Sequence, residues 1–255
     1  MRRMLKEIRN LFSFLTTIPV RMDEDILNDT ARYMFLFPLI GVFIGLLAGL
    51  FGWVTSQFLP SLVVGGLVLG FLLLITGVHH TDGLLDFGDG VMAHGSAERK
   101  IEIMHDQLTG AGGLSLGIMT VLITAFSIAE LSTNTDIIIQ GVVVAEVSAK
   151  LSMVLGAWAG KAAHQGMASS FIEAMHGRKG TARLVVALAL SFGIALPLLW
   201  LSGAVALLAA ILTSLIMVEI AHRHFGGVTG DVLGATNELA RMVSLITLLA
   251  VIVWV

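Results

Sequence analysis

The sequence predicts an all-α fold: a polytopic integral membrane helical bundle with an N-terminal amphipathic surface helix and about seven transmembrane helices. Of 255 residues, 56% are hydrophobic and 13% charged, whereas soluble domains carry about 25% charged residues. Mean hydropathy is +0.91. Apolar stretches recur along the chain, and basic residues collect in alternate connectors. Residues 1–255 are expected to form a single integral membrane domain.

The N-terminal segment is basic and amphipathic, and it is expected to lie on the membrane surface. Its apolar run at 11–20 is short, contains Pro19 and lacks a small-residue cleavage site, which argues against a signal peptide. The chain has no cysteine, so a disulfide or a thiolate metal site is excluded. It also lacks a dense basic stripe, and nucleic-acid binding is not expected.

Seven apolar stretches are long enough to be candidate membrane spans. They lie near 33–58, 61–78, 113–132, 137–158, 184–201, 204–222 and 240–255. Lys and Arg are absent from every second connector, so the positive-inside rule predicts cytoplasmic long connectors and an external C-terminus in the cell membrane. Gly41, Gly45 and Gly49 repeat every four residues in the first span, which predicts close helix packing.

Three carboxylates follow the second span. Asp82, Asp86 and Asp89 are spaced i, i+4 and i+7, so a helix would present them on one face. An all-oxygen cluster suits Mg²⁺, with Mn²⁺ as an alternative, and the other interpretation is a solvated helix end. His79 and His80 precede the cluster and are candidates for metal or phosphate binding or for a helix cap.

A second acidic segment follows at 97–113. Glu98, Glu102 and Asp106 have the i, i+4, i+8 spacing of one helical face, which predicts an amphipathic helix. Asp106, followed by the small residues of 109–113, is a candidate fourth metal ligand. Glu98 is interpreted as a solvated charge.

Two further segments supply candidate phosphate-binding groups. In 226–239, Gly227, Gly230 and Gly234 surround Asp231, and such glycine-rich backbone can hold phosphate or form a plain turn. In 161–183, cations including Lys161 and Arg178 are suited to binding phosphates. The alternative is that their positive charge only sets the orientation of the helices in the membrane.

Two charged residues lie inside the fourth predicted span. Glu146 and Lys150 have i, i+4 spacing, and the simplest expectation is that they pair with each other. A polar cavity within the bundle is the alternative.

These motifs resemble the membrane-bound cobalamin synthases, the adenosylcobinamide-GDP ribazoletransferases. The similar segments are 14–20 (FLTTIPV), 77–92 (GVHHTDGLLDFGDGVM), 101–110 (IEIMHDQLTG) and 226–239 (GGVTGDVLGATNEL). Their order and spacing also agree along essentially the whole chain. Thr17 stands where the family often has Arg, and 107–110 differs from the frequent Ser-Arg-x-Gly.

The resemblance implies the last assembly step of cobalamin synthesis. The 3′-hydroxyl of α-ribazole, or of its 5′-phosphate, would attack the aminopropanol-linked phosphate of adenosylcobinamide-GDP and release GMP. The implied cofactor is Mg²⁺. Asp82, Asp86 and Asp89 are expected as ligands, with Asp106 as a fourth ligand or as general base. Asp231 and its glycines would hold nucleotide phosphates or a second metal.

Two alternatives belong to other classes. A CDP-alcohol phosphotransferase of lipid synthesis has a related acidic motif, but His94 stands where that motif requires Arg. A membrane transporter would need ionisable residues near the midplane, where only Glu146 and Lys150 fit. Homo-oligomerisation and association with other cobalamin-pathway enzymes are left open.

Overall fold

The computed structural model describes residues 2–18 and 26–252, and the side chains of 7–18 and 27–252. Within these ranges the structure is helical, as predicted, apart from turns and one isolated bridge between Ala162 and Val228. The helices are α1 (Arg2–Leu15), α2 (Ile26–Tyr33), α3 (Phe37–Ser56), α4 (Ser61–Thr76), α5 (His79–Met92), α6 (Ala97–Met104), α7 (Ala111–Leu131), α8 (Ile138–Ala159), α9 (Met167–Met175), α10 (Gly177–Phe225) and α11 (Gly230–Ile252). A 3₁₀ turn joins α2 to α3.

The N-terminal helix forms as predicted and packs on the bundle. Leu11 and Leu15 of α1 are buried, and the ring of Phe12 meets that of Phe43 edge-on at 4.9 Å between centroids. Residues 19–25, which include Pro19, lie outside the described residues. The apolar face of this helix is therefore anchored to α3.

Five described helical segments are long and apolar enough to cross a membrane: Leu27–Ser56, α7, α8, α10 and α11. The pair α4 and α5 passes the same test only when taken together, and it bends by 96° between the two helices. Gly77 and Val78 at this bend both adopt left-handed backbone. The segments confirm a polytopic membrane bundle.

The longest helix, α10, contains a reversal of the chain. Leu199 and Trp200 have non-helical backbone angles. A Cβ on Gly203 would lie 2.5 Å from the carbonyl oxygen of Ala195, although residues eight apart in a straight helix are separated by about 12 Å. The two halves of α10 therefore fold against each other. Counted separately, they match the predicted fifth and sixth spans, with the turn just before the expected Ser202–Gly203 connector.

Helix α8 occupies the centre of the bundle, and most of its side chains are buried. The α3 glycines lie against its backbone: a Cβ would come within 2.8 Å of the Glu146 oxygen at Gly41 and 2.6 Å of the Val143 Cα at Gly45. Only glycine permits this approach, so the predicted close packing is confirmed.

Helix α5 lies across one end of the bundle, outside the spanning segments. A Cβ on Gly83 would be 2.9 Å from the Cα of Asp231 in α11, and one on Gly88 would be 2.9 Å from the Cα of Gly113 in α7. These α5 glycines therefore allow close backbone approach to α11 and α7. The helix touches the first turns of both α7 and α11.

The described parts of the basic connectors meet this same end. It contains the C-termini of α4 and α8 and both ends of the α10 hairpin. His176, just before α10, lies 2.8 Å from the oxygen of Gly160, just after α8, and Phe225, the last residue of α10, contacts the Gly90 position in α5. At the opposite end, the described connectors 57–60 and 132–137 carry neither Lys nor Arg. The charge segregation seen in the sequence is therefore a property of the folded bundle.

The last span begins earlier than predicted. Helix α11 starts at Gly230 rather than near 240. Its first ten residues include polar groups such as Asn237 and Glu238, which are buried. Hydropathy alone missed this part because its polar side chains find partners inside the protein.

Candidate active site at one end of the bundle

A cavity of about 660 Å³ opens beside α5 and the start of α11. Its polar end is lined by His79, His80, Asp82, His105, His164, Thr229, Gly230, Asp231 and Gly234. Six predicted site residues, from two segments about 150 positions apart, therefore share one cavity: His79, His80, Asp82, Gly230, Asp231 and Gly234. At Gly230, no atom lies within 4 Å of the position that a Cβ would take.

The three aspartates lie on one short helix, as predicted. Burial, followed by the negative charges of Asp231, Asp82 and Asp89, raises the pKa of Asp86 to about 7. The strongest neighbouring charge is thus Asp231, which the sequence places far from the others. Four carboxylates contribute to one negative field at this end of the bundle.

Asp89 is tied to the start of α7. Its Oδ2 accepts a hydrogen bond from the Gly110 amide at 2.7 Å, and its Oδ1 accepts one from the Gly113 amide at 2.8 Å. A Cβ on either glycine would come within 2.7 Å of this carboxylate. Asp89 therefore satisfies amides at a helix N-terminus that would otherwise lack partners. This second role was not predicted.

Asp106 differs from its predicted setting. Helix α6 ends at Met104, so the expected helical face through Glu98 and Glu102 does not extend to Asp106. The backbone turns there because Asp106 Oδ1 accepts a hydrogen bond from the Leu108 amide at 3.1 Å. Its neighbour His105 lines the cavity instead.

The donor chemistry of the cluster suits a hard divalent cation. Carboxylate oxygens are the ligands that Mg²⁺ prefers, and a cation would relieve the repulsion that raises the Asp86 pKa. Each Asp89 oxygen keeps a second lone pair for such an ion. Within residues 2–18 and 26–252, however, no three His, Asp or Glu side chains are already gathered tightly enough to hold one. The ligand set Asp82, Asp86, Asp89 and Asp106 stays a prediction.

The two histidines that begin α5 have different settings. His80 is buried against the backbone of Gly234. Burial, followed by the positive charges of Lys150, Arg241 and His79, holds its pKa well below the ordinary value. Its imidazole is therefore neutral. His79 is exposed on the cavity wall, where it can reach a ligand.

Backbone hydrogen bonds hold the glycine-rich segment before α11 against the residues that follow α8. The amide of Val228 donates to the Lys161 oxygen at 2.7 Å, and the amide of Ala163 donates to the Val228 oxygen at 3.1 Å. A Cβ on Gly227 would be 2.6 Å from the Lys161 oxygen. Gly227 thus serves this backbone contact and does not line the cavity.

The predicted cations Lys161 and Arg178 are exposed and lie outside the cavity lining. A separate surface cavity of about 410 Å³ is lined by other basic residues, Arg32, Lys179 and Arg183, together with Glu173. The Lys and Arg residues of this segment therefore do not line the cavity beside the carboxylate cluster.

A buried ion network lies beneath the site, between α8 and α11. Lys150 Nζ donates to Asn237 Oδ1 at 2.7 Å and lies 3.5 Å from Glu146 Oε2. Arg241 forms ion pairs with both Glu146 and Glu238. All of these side chains are buried. The predicted Glu146–Lys150 pair is confirmed, and it belongs to a larger network that sequence reasoning missed.

Comparison with known proteins now adds to this geometry. Residues 7–249 match the family described as cobalamin-5-phosphate synthase. Among relatives named adenosylcobinamide-GDP ribazoletransferase, the protein of Methanococcoides burtonii is 34% identical over 96% of this chain and 92% of its own length. That of Methanocella arvoryzae is also 34% identical, over 95% and 94%.

A third relative has a similar degree of identity. The ribazoletransferase of Thermococcus kodakarensis is 32% identical over 97% of this chain and 99% of its own length. No solved structure matches the chain. With the family match spanning nearly all of its residues, the chain belongs to the cobalamin-5-phosphate synthase family.

Proposed function

We propose that this protein is an adenosylcobinamide-GDP ribazoletransferase, a transferase of cobalamin synthesis. It joins adenosylcobinamide-GDP to α-ribazole, or to α-ribazole 5′-phosphate, and releases GMP. The observation that carries the proposal is the four-carboxylate cluster beside a substrate-sized cavity, in a chain of this family. The names of relatives that align over nearly the full chain support the same activity.

The reaction exchanges a phosphoanhydride bond for a phosphodiester bond. The ribazole 3′-hydroxyl forms a new bond to the aminopropanol-linked phosphorus, the bond from that phosphorus to the bridging oxygen breaks, and GMP leaves with that oxygen. Negative charge develops on the leaving phosphate and must be stabilised. Asp82 and Asp231 line the cavity, so either is placed to accept the hydroxyl proton.

Mg²⁺, with Mn²⁺ as the alternative, is the proposed cofactor and would supply positive charge to the pyrophosphate. Asp82, Asp86, Asp89 and Asp231 are the residues proposed to hold it, since their charges converge on Asp86. Asp231 takes the place that the sequence suggested for Asp106. The side chain of Asp106 is engaged by its own loop.

We also propose that the site faces the cytoplasm and that the C-terminus lies outside. The basic connectors share the end of the bundle that carries the cavity, and the positive-inside rule assigns such an end to the cytoplasm. Neither the lipid-synthesis enzyme nor the transporter is favoured by the family match.

The test is GMP release by the purified protein in liposomes. The substrates are adenosylcobinamide-GDP and α-ribazole 5′-phosphate, with Mg²⁺ or a chelator. We expect metal-dependent GMP release with an equal amount of the joined corrinoid product. Folded protein that releases no GMP, yet releases CMP from a CDP-alcohol lipid, would contradict the proposal.

A further inference from the structure

The cavity beside the carboxylates has a second, apolar end built from three aromatic rings. Phe14 of α1, Phe37 of α3 and Phe171 of α9 all line it. Their ring centroids are 6.3 Å apart for Phe14 and Phe37, 5.2 Å for Phe14 and Phe171, and 6.1 Å for Phe37 and Phe171. Met34 of the 3₁₀ turn, Met153 of α8 and other apolar side chains line the same cavity. The rings form a continuous aromatic surface inside the cavity.

The two ends of this cavity demand a ligand of mixed character. The apolar end suits a flat, apolar ring system, because aromatic faces stack well on such groups. The polar end presents Asp82 and Asp231, which suit hydroxyl groups and the cation-bound phosphate. A single ligand that fills both ends therefore carries a flat base at one side and a sugar hydroxyl at the other.

The volume of the cavity indicates which of the two substrates of the proposed reaction it can hold. A volume of about 660 Å³ is typical of sites for drug-sized ligands, about 300–1,000 Å³. A nucleoside or nucleotide fits such a volume. A corrinoid macrocycle with its side chains and axial adenosyl group does not, so the ring system of adenosylcobinamide-GDP has to stay outside.

The polarity of the cavity lining indicates which base it can hold, guanine or the dimethylbenzimidazole of ribazole. Guanine carries several hydrogen-bonding groups on its edge, and burying them without partners is unfavourable. Apart from the lining residues named above for the polar end, the described residues that line the cavity are apolar or glycine, and Ser13 alone among them has a hydroxyl. The dimethylbenzimidazole base of ribazole has methyl groups along that edge and matches this wall. Guanosine does not match it.

We infer that the cavity binds the nucleoside substrate, with the ribazole base against Phe14, Phe37 and Phe171 and the ribose toward Asp82 and Asp231. This inference rests on the proposed function. The GDP-activated corrinoid approaches from outside the cavity and presents its pyrophosphate at the carboxylate cluster. The aromatic surface is then the part of the protein that selects the lower base.

The kinetic test uses Phe171→Leu, which removes the ring but keeps an apolar side chain. We expect the KM for α-ribazole to rise about 5- to 150-fold, since stacking on one aromatic side chain contributes about 1–3 kcal/mol. The KM for adenosylcobinamide-GDP should stay unchanged. The control is Phe126→Leu, because Phe126 lies on α7, is 56% exposed and is absent from the cavity lining.

A binding test without the corrinoid keeps this inference separate from the activity. By titration calorimetry, wild-type protein in detergent should bind α-ribazole without the corrinoid, and Phe171→Leu should bind it at least about fivefold more weakly. GMP should not compete. If wild-type protein releases no GMP, the proposed function fails whatever the calorimetry shows. A Phe171→Leu protein that turns over with a raised KM for the corrinoid alone, or GMP that displaces α-ribazole, would overturn the inference and leave the function standing.

Discussion

Gly83 of α5 lies against the backbone of Asp231 in α11, so closely that a Cβ on Gly83 would be 2.9 Å from the Asp231 Cα. This contact brings the carboxylate of Asp231 to those of Asp82 and Asp86, although about 150 residues separate them in the chain. The acidic cluster therefore depends on a glycine that carries no chemical group of its own.

Replacing that glycine should separate the cluster. We expect Gly83→Val to push α5 away from α11 and to lower kcat at least about 100-fold, because displacing reacting groups by about 1 Å has effects of that size. GMP release in liposomes is the measurement. Gly66→Ala is the matched control, since nothing lies within 4 Å of that position. Equal rates for the Gly83 variant and wild type would disprove the link.

The Asp86 carboxylate should lower the stability of the folded protein although it is needed for activity. Its folded pKa is about 7 against an ordinary 3.8, so ionising it disfavours the folded state. Without divalent cations, this contribution to stability is fully present below about pH 3.8 and is lost as the pH rises toward 7. Asp86→Asn should remove that loss and also abolish turnover.

The comparison that checks this is Tm at pH 4 and at pH 8, in a chelator, for wild type and Asp86→Asn. The two proteins should agree at pH 4, and the variant should melt higher at pH 8. Added Mg²⁺ should raise the Tm of wild type more than that of the variant. A variant that melts lower than wild type at pH 8 would speak against carboxylate repulsion at this site.

Asp89 should matter for stability as well as for activity. Its carboxylate accepts two backbone hydrogen bonds at the start of α7, and losing a helix-capping side chain destabilises by about 0.5–2 kcal/mol. Asp89→Ala should therefore lower Tm and remove activity. Asp106→Ala serves as the control, because its carboxylate bonds only within its own turn in the described structure, and it should leave Tm nearly unchanged. Equal Tm values for the two variants would argue against the capping role.

Substitutions in the buried ion network should lower the stability of the protein far more than substitutions in exposed ion pairs. Glu146→Gln leaves Arg241 and Lys150 with one fewer negative charge in a fully buried setting, and breaking such a pair destabilises by about 3–5 kcal/mol. Glu102→Gln breaks the exposed pair with Arg99, at 2.9 Å, and should change stability by less than about 1 kcal/mol. Unfolding in detergent, followed by circular dichroism, compares them. Similar losses for both would contradict a supporting role of the network.

Local patterns predicted much of this structure. The spans followed from hydropathy, the helical face of Asp82, Asp86 and Asp89 from their spacing, and the close packing of α3 from its glycines repeated every four residues. Each of these features depends on residues within a few turns of one another. Short-range periodicity reports such features directly.

The remaining features depend on contacts between distant segments. Asp231 joins the α5 carboxylates only because Gly83 and Gly234 let two helices touch. Arg241 pairs with Glu146 across 95 positions, which no local spacing reveals. The start of α11 was missed for the same reason, since Asn237 and Glu238 are buried with partners that hydropathy does not count.

The buried network also bears on how the chain enters the bilayer. Glu146 and Lys150 are one turn apart on α8, and Glu238 and Arg241 are one turn apart on α11, so each helix carries its own opposite charges. A lone charge at the centre of an inserting helix is unfavourable by about 2.5–3.5 kcal/mol. Helix α8 can thus leave the insertion machinery as a net-neutral segment, and the later α11 carries, besides its own opposite pair, only the charge of Asp231 in its first turn. Arg241 can then pair with Glu146 only after α11 has been made and has packed against α8. The ion pair between the two helices therefore forms late in the assembly of the bundle.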